Sequence, residues 1–167
     1  RRPHLFLLRN ETDLPGLYKN FKHRFTTGEQ MALLLAEVAR VLRDYGTLEC
    51  FMGECLKNDT PLLEALNRFS RRLVPERKGF PLLTAPEEGS ACKRLLLYLK
   101  WMVRKDDVDP GGWSVIVPKD LIMPTDTHIH NIALQLGLTT RKQADLKTAL
   151  EITRSFAQIA PEDPTRY

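Results

Sequence analysis

The chain has 167 residues, 43% of them hydrophobic, and no apolar run near the roughly 20 residues that cross a bilayer, which argues for one globular domain with its own core and against membrane insertion. Lys+Arg number 25 against 21 Asp+Glu, a net charge of +4 that permits an anionic partner without demanding one. Cys50, Cys55 and Cys92 are odd in number and unclustered, which argues against a disulfide framework and against a zinc or iron–sulfur site.

Residues 1–10 alternate basic and apolar side chains and read as a connector or the tail of a helix; their apolar run is too short for a secretory signal, so a cytoplasmic protein is expected. Asp13-Leu-Pro-Gly16 is expected to cap a short helix through Phe25, with Lys19, Lys22, His23 and Arg24 as its solvated face. Thr27 and Gln30 have capping-box spacing. Met31, Leu34, Leu35, Val38, Val41, Leu42 and Tyr45 then recur at helical intervals up to Gly46, a stripe expected in the core. Thr47 is expected to cap a short helix through Lys57, and Thr60-Pro61 to start another with Leu62, Leu63, Leu66, Phe69 and Leu73 inside. Arg68, Arg71, Arg72, Arg77 and Lys78 crowd its exit, which fits a phosphate-binding patch and equally fits cations complementing a helix dipole.

Pro81-Leu-Leu-Thr-Ala-Pro-Glu-Glu-Gly89 has the prolines and glycine of a tight inter-helical turn. In the helix that follows, Cys92, Leu95, Leu96, Leu99, Met102 and Val103 form an apolar stripe, with Lys93, Lys100 and Arg104 on another face. Asp109-Pro-Gly-Gly112 is a turn, and Trp113-Ser-Val-Ile-Val117 a short apolar stretch too isolated to imply a sheet. Pro124-Thr125-Asp126 opens a helix that ends at Gly137, placing a carboxylate where the macrodipole favours its ionised form. Thr140 and Gln143 are expected to cap a last helix carrying Ala144, Leu146, Ala149, Leu150, Thr153, Phe156 and Ile159. Repeated helix starts without β-alternation give an all-α fold.

Two stretches resemble the helix-hairpin-helix DNA glycosylase superfamily. Pro124-Thr-Asp-Thr-His-Ile-His-Asn-Ile-Ala-Leu-Gln-Leu-Gly-Leu138 is similar to the segment of endonuclease III that supplies its catalytic aspartate and the following helix. Pro86-Glu-Glu-Gly-Ser-Ala-Cys-Lys-Arg94 stands where that superfamily has its hairpin and lysine, but departs from the usual Leu-Pro-Gly-Val-Gly-x-Lys-Thr-Ala. Lys93 and Asp126 lie 33 positions apart, farther than in endonuclease III and more like the archaeal 8-oxoguanine glycosylase branch; Asp106-Asp-Val-Asp-Pro-Gly-Gly-Trp113 accounts for the difference. Most of the chain also resembles an uncharacterised prokaryotic family of that superfamily, sharing Ser90-Ala-Cys-Lys-Arg94, Trp101-Met-Val-Arg104 and Pro124-x-Asp126-Thr-His128.

The resemblance implies an all-α glycosylase-like domain with its hairpin at about residues 81–93 and its catalytic segment at about 89–137, as a core fragment lacking terminal helices at both ends. It implies damaged duplex DNA as partner and Lys93 and Asp126 as catalytic residues; the three unclustered cysteines point to no cofactor in this segment, which lacks the cluster found in endonuclease III. The backbone N–H groups of Gly89, Ser90 and Ala91, with Arg94, would hold a DNA phosphate.

An N-glycosidic bond breaks when positive charge at C1′ is stabilised and the carbon attacked, with the nucleotide rotated out of the duplex. Asp126 suits the first task. Lys93 suits the second as a neutral amine, a form favoured by burial beside Cys92 and Leu96 and by repulsion from Arg94 and Lys100, and opposed by Asp126. By spacing alone, Asp126 is a helix cap and Lys93 a surface lysine in a first turn. A non-catalytic DNA-binding module of the same fold is the alternative. A metal-dependent hydrolase using Asp126, His128 and His130 is weaker, because residues two apart on a helix point in nearly opposite directions. Tyr98, Trp101 and Trp113 suit stacking on an extruded base, or packing.

Overall fold

A computed structural model describes residues 2–75, 80 and 82–167. The expected Arg77, Lys78 and Pro81 of the basic exit and hairpin lie outside the described residues. The described chain is mostly helical, as the periodicity predicts, and forms two compact units, Arg1–Leu83 and Thr84–Tyr167. None of its described helices is long and apolar enough to cross a membrane.

In the first unit, α1 (Pro3–Asn10) begins with proline, whose missing N–H costs nothing at a helix start. A 3-10 turn, Glu11–Asp13, leads into α2 (Leu14–Leu17). The helix expected to continue through Phe25 stops there. The chain reverses instead, and β1 (Lys22–His23) pairs antiparallel with β2 (Thr26–Thr27) across Arg24 at φ +53°. Residues 18–25 therefore carry their basic side chains on a turn and ribbon, not on a helix face. The reversal is fixed by close backbone approach: a Cβ on Gly28 would lie 1.8 Å from the Tyr18 carbonyl oxygen.

α3 (Gly28–Tyr45) has the expected limits, with Thr27 Oγ1 accepting from Gln30 N–H at 3.3 Å and Gln30 Oε1 from Thr27 N–H at 3.1 Å. Gly46 ends it at φ +79°. Its buried face is Ala32, Glu37, Ala39 and Val41, whereas the expected core stripe is mostly half-buried and Tyr45 is exposed. α4 (Leu48–Cys55) is capped by Thr47, and α5 (Leu62–Leu73) buries Ala65, Leu66, Phe69, Ser70 and Leu73. α3 packs on α1, α2, α4 and α5. Arg72 pairs with Glu37 and Asp44, and Arg68 with Glu64 and Thr60, so these two arginines of the basic exit serve contacts within the unit.

The second unit is built from α6 (Lys93–Val103), α7 (Thr127–Gln135) and α8 (Leu146–Ala157). Leu95, Leu96, Leu99 and Val103 are the buried face of α6, as the stripe predicts. Its last carbonyls, normally orphaned, accept from the returning loop: Trp101 from Gly111 N–H at 2.9 Å and Met102 from Trp113 N–H at 2.8 Å. Residues 113–117 form no strand; Ile116 alone among them is buried. The capping box expected at Thr140 and Gln143 is not the cap of α8. Asp145 takes that role, accepting from Thr148 N–H at 2.9 Å, while Gln143 offers its carbonyl to the Thr148 hydroxyl. Met123, Ala133 and Ile152 form a buried cluster with Ile129, Leu138 and Phe156 against it, which joins α7 to α8.

Candidate functional site

Asp126 is delivered by a buried extended run: Leu121, Ile122, Met123, Pro124 and Thr125 are all buried, and both Met123 and Thr125 are hydrogen-bonded. Met123 N–H donates to Thr153 Oγ1 of α8 at 2.9 Å, and the Thr125 hydroxyl returns to the Met123 carbonyl at 3.0 Å. With the run fixed on both sides, the first free carboxylate caps α7, Asp126 Oδ1 accepting from Ile129 N–H at 2.9 Å.

The other oxygen, Oδ2, accepts from Lys93 Nζ at 2.6 Å. The lysine hydrogen bond first, and the Ile129 N–H second, hold the Asp126 carboxyl down to about 2. Lys93 is the first residue of α6, and Cys92 before it takes the left-handed conformation, φ +47°, rare for a residue with a Cβ. Ser90 holds that turn: its Oγ accepts from Cys92 N–H at 3.3 Å and lies 2.9 Å from Thr84 Oγ1. The expected burial of Lys93 beside Cys92 and Leu96 is corrected, because its side chain is 46% exposed and turned to Asp126.

The structure also moves the expected phosphate-binding backbone. Gly89 stands at φ +75° with its N–H donated to the Pro86 carbonyl at 3.0 Å, closing the 3-10 turn Pro86–Glu88, and Ser90 forms an antiparallel bridge with Asp145. Gly89, Ser90 and Ala91 thus precede the helix, whose first turn belongs to Lys93, Arg94 and Leu95. Arg94 is exposed in that turn.

Asp145, Arg141 and Thr148 were not singled out from sequence, yet they frame the site. Arg141 donates to Asp145 Oδ2 at 2.7 Å and to Thr148 Oγ1 at 2.9 Å, and its carbonyl accepts from His130 Nε2 at 2.7 Å. A ring of contacts therefore runs from Lys93 to Asp126, along the first turn of α7 to His130, across to Arg141 and Asp145, and back to Ser90. It gathers the N-termini of three helices. The signal in the sequence was an aspartate three residues before Thr148 at the head of an apolar repeat, overlooked in favour of Thr140.

His130 is buried in this ring and His128 is exposed, so the two imidazoles do not converge with Asp126; no group of three His, Cys, Asp or Glu side chains able to hold a metal occurs among the described residues. Tyr98 and Trp113 pack edge to face at 5.5 Å, and Trp101 stays 43% exposed. At the far end of α6, Lys100 Nζ is bound to buried Asp109 at 2.7 Å and is separated from Lys93 by about 10 Å of helix.

A family described as "Protein of unknown function (DUF2400)" matches residues 1–167, and the chain belongs to it. No curated protein and no solved structure matches.

Proposed function

We propose that this member of the DUF2400 family is a helix-hairpin-helix DNA glycosylase-like enzyme that excises a damaged base from duplex DNA, with strand-nicking lyase activity through an imine on Lys93. The observation that supports it best is the 2.6 Å contact of Lys93 Nζ with Asp126 Oδ2. Residues 33 positions apart, assigned to one reaction by the resemblance, meet at adjoining helix N-termini with both heads accessible.

In this reading the target nucleotide is rotated out and its C1′ brought to the pair. Lys93 gives up a proton to water and attacks C1′ as the neutral amine. The C1′–N bond breaks, and its electron pair leaves with the base, which takes up a proton from water. Loss of a proton from the new C–N centre and opening of the C1′–O4′ bond, whose oxygen is protonated, give the imine. Asp126, held ionised first by the Lys93 hydrogen bond and then by the Ile129 N–H, stabilises the positive charge at C1′. Removal of a C2′ proton then expels the 3′ phosphate, and water hydrolyses the imine to regenerate Lys93.

The test is a panel of duplexes, each with one modified base, treated with and without borohydride, which delivers hydride to C1′ of an imine. Base release and a covalent adduct are expected, the adduct lost in Lys93→Gln while duplex affinity is retained, and kept in Lys100→Gln. An adduct that survives Lys93→Gln overturns the assignment of the nucleophile. Base release with no adduct makes the protein monofunctional, Asp126 activating water. Binding with no base release from any duplex leaves a DNA-binding module of the same fold.

A further inference from the structure

The bridge between Ser90 and Asp145, with Leu146 N–H on the Gly89 carbonyl at 3.3 Å, ties the start of α8 to the turn before α6 and so brings the neighbourhoods 141–147 and 89–94 together. Together the two stretches hold Lys93, Arg94, Arg141, Lys142 and Lys147, against the single carboxylate of Asp145. Asp145 is already bound to Arg141, and Lys142 and Lys147 are exposed. Lys93 is likewise bound to Asp126, so the exposed Lys142 and Lys147 carry the outward charge of the segment beside it. Lys147 lies in the first turn of α8, where the helix dipole adds to its charge.

We infer that Lys142 and Lys147 form a second phosphate-contacting surface, which holds the nucleic-acid backbone beside the Lys93–Asp126 pair. The inference rests on the DNA-binding reading above and extends it to a segment that the sequence pattern did not single out. A net-positive segment tied by backbone to the site would set the duplex in register with Lys93, because phosphate contacts orient without reading bases. The expected partner is a duplex with an abasic or extruded nucleotide opposite the pair, held through consecutive phosphates.

The experiment is fluorescence anisotropy of a labelled duplex bearing one non-hydrolysable abasic analogue, titrated with the protein over a fourfold range of salt. Lys142→Gln and Lys147→Gln are compared with Lys105→Gln, an exposed lysine just beyond the opposite end of α6 that matches them in charge change. Each of the first two should lower the magnitude of the salt slope by about 0.9 and weaken binding roughly tenfold near 0.1 M salt, with Lys105→Gln unchanged. Slopes equal to wild type in Lys142→Gln and Lys147→Gln overturn the inference and leave the enzyme reading standing. An equal drop in Lys105→Gln overturns it also, since the attraction then comes from overall charge. Wild-type protein that does not bind the duplex overturns both readings together.

Discussion

Asp126 divides its two oxygens between a structural and a chemical partner: Oδ1 closes the first turn of α7, and Oδ2 meets Lys93. Asparagine keeps the first contact, since it caps as well as aspartate, and removes the charge from the second. Asp126→Asn should therefore fold, with a stability loss under about 1 kcal/mol because the ion pair is half exposed. Its base-excision rate should fall roughly 10²–10³-fold, measured as single-turnover release. The same carboxyl makes an acid prediction. Its folded value of about 2 lies below the ordinary 3.8, so the stabilisation it contributes is present above about pH 4 and lost as pH falls toward 2. Asp145, lowered first by the Thr148 N–H and then by Arg141, acts in the same direction. Thermal melts of wild type and Asp126→Asn should converge as pH falls from 4 to 2; a constant gap would mean that the charge of Asp126 contributes nothing to the fold.

Helix starts were legible at Thr27, Thr47 and Asp126, where the capping side chain lies next to the first helical residue, but the same arrangement at Asp145 was masked by the rival spacing of Thr140 and Gln143. Helix extent was misread where a distant backbone contact decides it. Residues 18–25 have enough apolar side chains to read as a helix, but Gly28 must approach the Tyr18 carbonyl, and that contact bends the chain into a ribbon. The point is testable because two effects oppose. Helix propensity alone says that Gly28→Ala should stabilise α3 by up to about 1 kcal/mol. The overlap at 1.8 Å says that it should destabilise the unit, and by more than Thr27→Ala, which loses one cap worth about 1 kcal/mol. Chemical denaturation of the two variants decides the order and the sign.

At the scale of the molecule, the second unit is closed by one guanidinium. Arg104, its side chain 7% exposed, binds Asp106 at 2.8 Å, Asp163 at 2.8 Å and fully buried Asp109, which Lys100 also contacts. It thereby ties the end of α6 both to the returning loop and to a segment 59 positions later. Arg104→Met should cost about 3–5 kcal/mol, because it strands a buried carboxylate, with the loss read by urea unfolding. A loss below about 1 kcal/mol would mean that Lys100 alone suffices for Asp109. The sequence by itself determined the helical class, the limits of α3, the apolar face of α6 and the Asp126 cap. Each of these is set by side chains within one or two turns of each other, so spacing alone encodes it. Only the tertiary structure decided that Lys93 is half exposed rather than buried, that Gly89 closes its own turn, that Lys100 belongs to Asp109, and that Asp145 joins Ser90. Those outcomes depend on which distant backbone approaches which. Local periodicity carries no information on that, because hydrogen bonds and ion pairs between segments form only after packing has brought them within reach.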